Sequence, residues 1–175
     1  EAYSEFAPAA SLPKLEITDE RVVRLRTFSK AYGMAGARVG YAMAEENLIK
    51  SFEKIRNHFG MNRLAQKAAC EALSDNQWLL EMIQKVENGR QRIYKIAASN
   101  NLKPIASSTN FVAIDCGKDG GYAEKVLTEL ISLGIFVRMP FVSPQDRCIR
   151  ISVGKKRDLD KFEKALPIAL ERASK

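Results

Sequence analysis

The sequence predicts an α/β chain in three pieces: the end of a larger sheet domain, a long linking helix, and a small C-terminal α+β domain. The first two fall in residues 1–90 and the last in 91–175. Three observations carry this reading. VVRLRTFS (22–29) alternates in the manner of a strand and is followed, across a glycine-rich stretch, by a second apolar run, RVGYAMA (38–44). From Asn47 the apolar residues recur at helical spacing, with the longest run after Asp75. Beyond Pro104, short strand-like and helix-like segments alternate, as in a small mixed domain.

Residues 1–19 carry Pro8 and Pro13 and read as irregular. Residues 22–29 and 38–44 read as strands, the second buried, joined by AYGMAGA, whose small residues suit a close-approach loop. Leu48, Phe52 and Ile55 mark one helix, and Leu64, Ala68 and Ala72 a second. Asp75 is placed to cap a long helix carrying Leu79, Met82, Ile83, Val86, Ile93 and Ala97, which stops near Ser99-Asn100-Asn101. Trp78 and the aliphatic stripe after it read as core. NFVAIDC (110–116) is a strand and Gly120-Gly121 a turn. Residues 122–133 form a helix with Ala123, Val126, Leu127, Leu130 and Ile131 inward. IFVRM (135–139) and CIRISVG (148–154) are strands, and a last helix runs from Asp158 to about Ala173.

The chain has 175 residues, 46% apolar and 28% charged, enough for a packed core. No apolar run reaches the roughly 18 to 20 residues of a membrane span. Cys70, Cys116 and Cys148 are widely spaced and His58 is the single histidine, so neither a metal site nor a disulfide framework is expected, and a cytoplasmic setting is. The net charge of +7 raises nucleic-acid binding, but Lys50, Lys54, Arg56, Arg63 and Lys67 are scattered among acids and apolar residues. Attraction for anionic small molecules, or a solvated face, is the better reading of that charge. Glu1 is not an initiator methionine, and EAYSEFAP reads like the exit from a strand, so a piece of a longer protein is expected.

The chemistry concentrates in TFSKAYGMAGARVGY, residues 27–41. Lys30 alone carries no message, and a surface charge beside a glycine loop is its ordinary explanation. Here it stands between the hydroxyls of Thr27 and Ser29, with Gly33, Gly36 and Gly40 following and Arg38 eight positions on. An amine that can form a Schiff base thus lies near a planar guanidinium and hydroxyl donors suited to a phosphate dianion.

This run resembles the cofactor-lysine signature of the fold-type I pyridoxal-phosphate aminotransferases, and most of all the histidinol-phosphate aminotransferase subfamily. The resemblance implies that Lys30 holds pyridoxal 5'-phosphate covalently and then serves as general acid and base. It implies that Thr27, Ser29 and Arg38 bind the cofactor phosphate. Ala2-Tyr3 precedes Lys30 by 27 positions, counted from Tyr3, as the family's Asp-x-Ala-Tyr stretch precedes its lysine. The resemblance therefore gives Tyr3 a hydrogen bond to the cofactor's 3-oxygen; a buried aromatic with a satisfied hydroxyl is its alternative.

Further along, Arg150 in IRISVG matches the arginine that grips the substrate carboxylate in these enzymes. Arg138 in GIFVR matches the arginine used toward the substrate phosphate, and Asn110 a position lining the site. The family's aspartate for the pyridinium nitrogen falls one residue before Glu1, and the resemblance covers only about the second half of such an enzyme. A chain without those elements is expected to bind cofactor weakly and not to turn over alone. RNHFGMNRLAQ (56–66) departs from the family's proline- and tyrosine-containing segment, which leaves substrate identity open, and His58 within it is assigned no role.

The resemblance implies a homodimer that passes an amino group between a small-molecule donor and a keto acceptor, with histidinol phosphate and 2-oxoglutarate favoured, as in histidine biosynthesis. An aminotransferase for aromatic or other amino acids, a phosphate-ester amino-acid decarboxylase on the same scaffold, and a non-catalytic module remain as alternatives. Neither a nucleic acid nor a membrane is an expected partner.

Overall fold

The computed structural model describes every residue from Glu1 to Lys175 except Leu15, which the reading of 1–19 as irregular therefore includes untested. The chain divides into two compact units, Glu1–Gln84 and Lys85–Lys175.

In the first unit the described N-terminal residues include two 3₁₀ turns, Ser4–Phe6 and Ala9–Ser11. Strands β1 (Arg24–Thr27) and β2 (Gly40–Met43) then form an antiparallel ribbon, with Arg24 opposite Met43 and Thr27 opposite Gly40. The ladder is shorter than the alternation predicts. At its closed end the Ser29 N–H is taken by the Thr27 hydroxyl at 3.1 Å, which turns the chain out of the sheet. β2 is exposed to half-buried rather than buried. Gly40 is needed where it stands, because a Cβ there would lie 2.6 Å from the Arg26 carbonyl oxygen.

Helix α1 (Glu46–Phe52) is capped by Glu45, which accepts the Leu48 N–H at 3.0 Å. It ends before Ile55, which is exposed rather than part of a helical stripe. Helix α2 (Arg63–Ser74) starts at Asn62, whose side chain accepts from Leu64 and Ala65. That start sets the helix phase so that Ala65 and Ala69 face inward and Leu64 is left 80% exposed, one position off the expected stripe. The alanines, with little bulk, let α2 pack on Phe28 and Val39, the buried ends of the loop between β1 and β2.

Helix α3 (Asn76–Ser99) is capped as expected, Asp75 accepting the Trp78 N–H at 3.0 Å. It closes where the asparagines predict: Asn101 takes a left-handed backbone (φ 58°) and the Leu102 N–H returns to the Ala97 carbonyl at 3.0 Å. Trp78 is 38% exposed and not core, and the fully buried stripe begins only at Val86.

The second unit is a three-stranded antiparallel sheet in the order β3 (Lys103–Pro104), β4 (Phe111–Asp115), β5 (Cys148–Ser152). β3 is an edge strand, which is where a sheet admits Pro104. Val112, Ile114, Ile149 and Ile151 point to one face. They join a single core with Ile93 and Ala97 of α3, with helix α4 (Gly120–Ser132) through Val126 and Leu130, and with helix α5 (Lys156–Ala173) through Phe162 and Leu166. Fully burying a side chain such as Leu130 contributes about 1.5–3 kcal/mol. Gly120-Gly121 is not a turn but the first residues of α4, because Asp119 caps it by accepting the Tyr122 N–H at 2.9 Å. Ile131, expected inward, is 50% exposed. Residues 135–139 form no strand; only Arg138 bridges to Arg150, and Pro140 just beyond has no N–H to extend a ladder.

Candidate active site

Lys30 sits on the loop that joins β1 to β2. Buried Phe28 and Ala31 on either side anchor the backbone, and Lys30 itself is half-buried. A turn closes behind it, with the Gly33 N–H on the Lys30 carbonyl at 3.0 Å and Gly33 in left-handed backbone (φ 67°). The Met34 N–H reaches the Phe28 carbonyl at 2.9 Å, and the Phe28 N–H reaches the Val39 carbonyl at 3.2 Å. The loop is thus held by its own backbone.

The lysine amine lies 5.5 Å from the centre of the Tyr3 ring, so two residues 27 positions apart in sequence do come together. No carboxylate pairs with the Lys30 amine among the described residues. The Thr27 hydroxyl donates to Ser29 Oγ at 3.0 Å, which leaves the Ser29 hydroxyl hydrogen available to an outside acceptor. Arg38 ends a short 3₁₀ turn, Ala35–Ala37, in a left-handed conformation (φ 54°, ψ 47°) that costs a non-glycine residue about 1–2 kcal/mol. Its guanidinium donates to the Ala35 carbonyl at 2.6 Å and forms no ion pair among the described residues. With Gly36, Asn62 and Leu64, Arg38 lines an open cleft of about 470 Å³.

Sequence reasoning passed over a group of charges beneath this loop. Arg24 and Arg26 share one face of β1. Arg24 donates to Glu1 Oε1 at 2.6 Å and Arg26 to Glu1 Oε2 at 3.0 Å, and Arg26 also lies 3.6 Å from Glu5 Oε1. Burial raises the Glu1 carboxyl, but the two arginine bonds outweigh it and hold its pKa below the usual carboxylate range. Burial likewise pushes the Tyr32 phenol up, with the charges of Tyr41 and Glu5 adding to it. The legible signal was the alternation of Arg24 and Arg26 against acids placed two residues either side of Tyr3.

In the second unit Arg150 and Arg138 face each other across an isolated bridge. The Arg138 N–H donates to the Arg150 carbonyl at 3.3 Å and the Arg150 N–H to the Arg138 carbonyl at 2.6 Å. Directly opposed residues project to the same side of a sheet, and this is the side away from the core. The Arg150 guanidinium stacks 4.8 Å over the Phe111 ring, which orients it. Asn110, half-buried, accepts the Val153 N–H on its carbonyl at 2.9 Å just before β4.

The family description "Aminotransferase class I and II" matches residues 1–166. The chain belongs to the class I and II aminotransferases. Among the relatives of this chain, the histidinol-phosphate aminotransferase of Bacillus licheniformis is 38% identical over 169 residues, covering 95% of this chain and 46% of the relative. That of Bacillus subtilis is 37% identical over 159 residues, covering 89% of this chain and 43% of the relative. The crystal structure of histidinol-phosphate aminotransferase from Sinorhizobium meliloti in complex with pyridoxal-5'-phosphate matches with a TM-score of 0.94 at 50% identity, over 98% of this chain and 47% of that one. The chain thus spans about half the length of the relatives it matches. L-threonine-O-3-phosphate decarboxylase from Porphyromonas gingivalis shares the fold at a TM-score of 0.74 and 20% identity. No helix among the described residues is long and apolar enough to cross a membrane.

Proposed function

We propose that this chain supplies the lysine and the anion-binding arginines of a pyridoxal-phosphate-dependent aminotransferase, with histidinol phosphate and 2-oxoglutarate as the reacting pair in histidine biosynthesis. The observation that carries the reading is the Lys30 amine over the Tyr3 ring, free of any carboxylate among the described residues, on a loop fixed by Phe28 and Ala31. The donor set fits the cofactor: an unpaired amine for the aldehyde, and the Arg38 guanidinium with the Thr27 and Ser29 hydroxyls for the phosphate.

When bound, the cofactor supplies an electron sink for bond breaking at the substrate's α-carbon. The Lys30 amine holds it and then accepts and returns the proton. Tyr3 orients the ring through its hydroxyl. Arg150, Arg138 and Asn110 bind and orient the anionic end of the amino donor and the keto acceptor. The complete protein is a homodimer in this reading, and exposed Ile55, Phe59 and Leu64 supply apolar surface for the subunit contact. The test is to give the complete, cofactor-loaded protein histidinol phosphate and 2-oxoglutarate and follow glutamate formation. Reaction only with phosphate-free amino acids, or release of carbon dioxide from a phosphate ester, overturns the substrate assignment.

Arg38 offers a test of the phosphate grip that separates binding from folding. Arg38→Gly relieves the left-handed strain and raises the entropy of the unfolded chain, terms that each amount to about 1 kcal/mol and largely cancel. The melting temperature of the cofactor-free protein is therefore expected to hold, while cofactor affinity falls by about 1–3 kcal/mol through lost charge-assisted bonds. An unchanged cofactor titration places the phosphate elsewhere.

A further inference from the structure

We propose that Arg26 is a positioning residue, clamping the Tyr3 segment through Glu1 and Glu5 so that the Tyr3 phenol is held beside Lys30; this rests on the cofactor reading above. Glu1 and Glu5 stand two residues before and two residues after Tyr3. Arg26 reaches both, bonding Glu1 Oε2 at 3.0 Å and standing 3.6 Å from Glu5 Oε1. It is itself on the strand that runs into the lysine loop. One guanidinium therefore ties both flanks of Tyr3 to the element that carries Lys30.

The energetics suit a fixed clamp rather than a passing surface pair. The Glu5 side chain is only 6% exposed, and its Oε1 has no hydrogen-bond partner among the described residues. A buried carboxylate left so would be costly without a cation, and Arg26 is the cation that faces it. Glu1 is shared with Arg24, which also donates to the Pro13 carbonyl at 3.1 Å, so the far flank is fixed independently. Around the clamp, Tyr41 stands opposite Arg26 in the β1–β2 register, and both Tyr41 and Tyr32 lie against Phe28. The segment carrying Tyr3 thus has little freedom to shift relative to Lys30.

The test is a double-mutant cycle in the complete, cofactor-loaded protein, reading the pH midpoint of the absorbance band of the lysine-bound cofactor. Tyr3→Phe removes the phenol and is expected to shift that midpoint. Arg26→Gln is expected to shift it in the same direction, and to add almost nothing in the Tyr3→Phe background, because it acts through that hydroxyl. Glu5→Gln, a gentler change, is expected to give a smaller shift of the same sign, and it stands in if Arg26→Gln fails to fold. A lowered melting temperature with an unmoved midpoint in both clamp variants makes the network purely structural and overturns the proposal. Additive shifts overturn it as well. An unmoved midpoint in Tyr3→Phe itself removes the cofactor role of Tyr3 and this proposal with it, and so marks a failure of the underlying reading.

Discussion

In the complete protein, Lys30→Ala is expected to abolish covalent cofactor attachment and to reduce transamination by on the order of 10³-fold or more, since in the proposed function one residue is both nucleophile and proton carrier. The fold should be nearly indifferent. Lys30 is half-buried, and its visible contact is the amine over the Tyr3 ring, a kind of interaction that contributes about 0.5–1 kcal/mol near a surface. Loop geometry depends instead on the buried neighbours Phe28 and Ala31 and on backbone bonds that alanine retains. Reducing the loaded protein with borohydride and mapping the labelled peptide is the direct measurement. Label on Lys30 in the parent and none in the variant is the expected result; label on another lysine sinks the assignment.

The second large effect separates the substrates. Arg150 is half-buried, stacked on Phe111, and set in the β5 ladder, whereas Arg138 is exposed on an irregular segment. A carboxylate has two oxygens, which one guanidinium fork satisfies. A phosphate dianion has three and more charge, and gains from both arginines on one side of the sheet. Arg150→Ala is therefore expected to damage every anionic substrate. Arg138→Ala is expected to damage the phosphorylated one selectively. Losing a hydrogen bond to a charged group costs about 1.5–3 kcal/mol, so kcat/KM for histidinol phosphate should fall at least about tenfold. If Arg138→Ala slows histidinol phosphate and a phosphate-free aromatic amino acid equally, the histidinol-phosphate assignment fails and the broader aminotransferase reading stands.

What the sequence made legible follows the range of the physics involved. Caps are local, and Asp75 and the asparagines after Ser99 acted where they were placed. The pairing of Lys30 with Tyr3 was readable because its spacing matched a family pattern, although composition alone says nothing of it. Phase and burial are set by tertiary contacts, so Leu64, Trp78 and Ile131 were assigned to faces they do not occupy. Residues 135–139 have strand composition, but a ladder needs donors, and Pro140 denies the next one. The Glu1–Arg26–Glu5 clamp was missed because each residue alone looks like a solvated charge. Its meaning lies in a β1 arginine reaching both sides of one tyrosine.

The Arg138–Arg150 bridge bears on how such a scaffold acquires new substrates. Both bonds of that bridge run between backbone groups, so they persist whatever side chain other than proline stands at position 138. Position 150 belongs to a strand whose alternate residues, Ile149 and Ile151, are buried in the core, so the backbone that aims its side chain is held by packing. Mutation can therefore sample chemistries at 138 at little cost to folding while the Arg150 side chain, proposed as the general anion grip, stays aimed. If the proposed roles hold, the grip common to all substrates and the preference among them are divided between two residues that face each other across a single pair of hydrogen bonds.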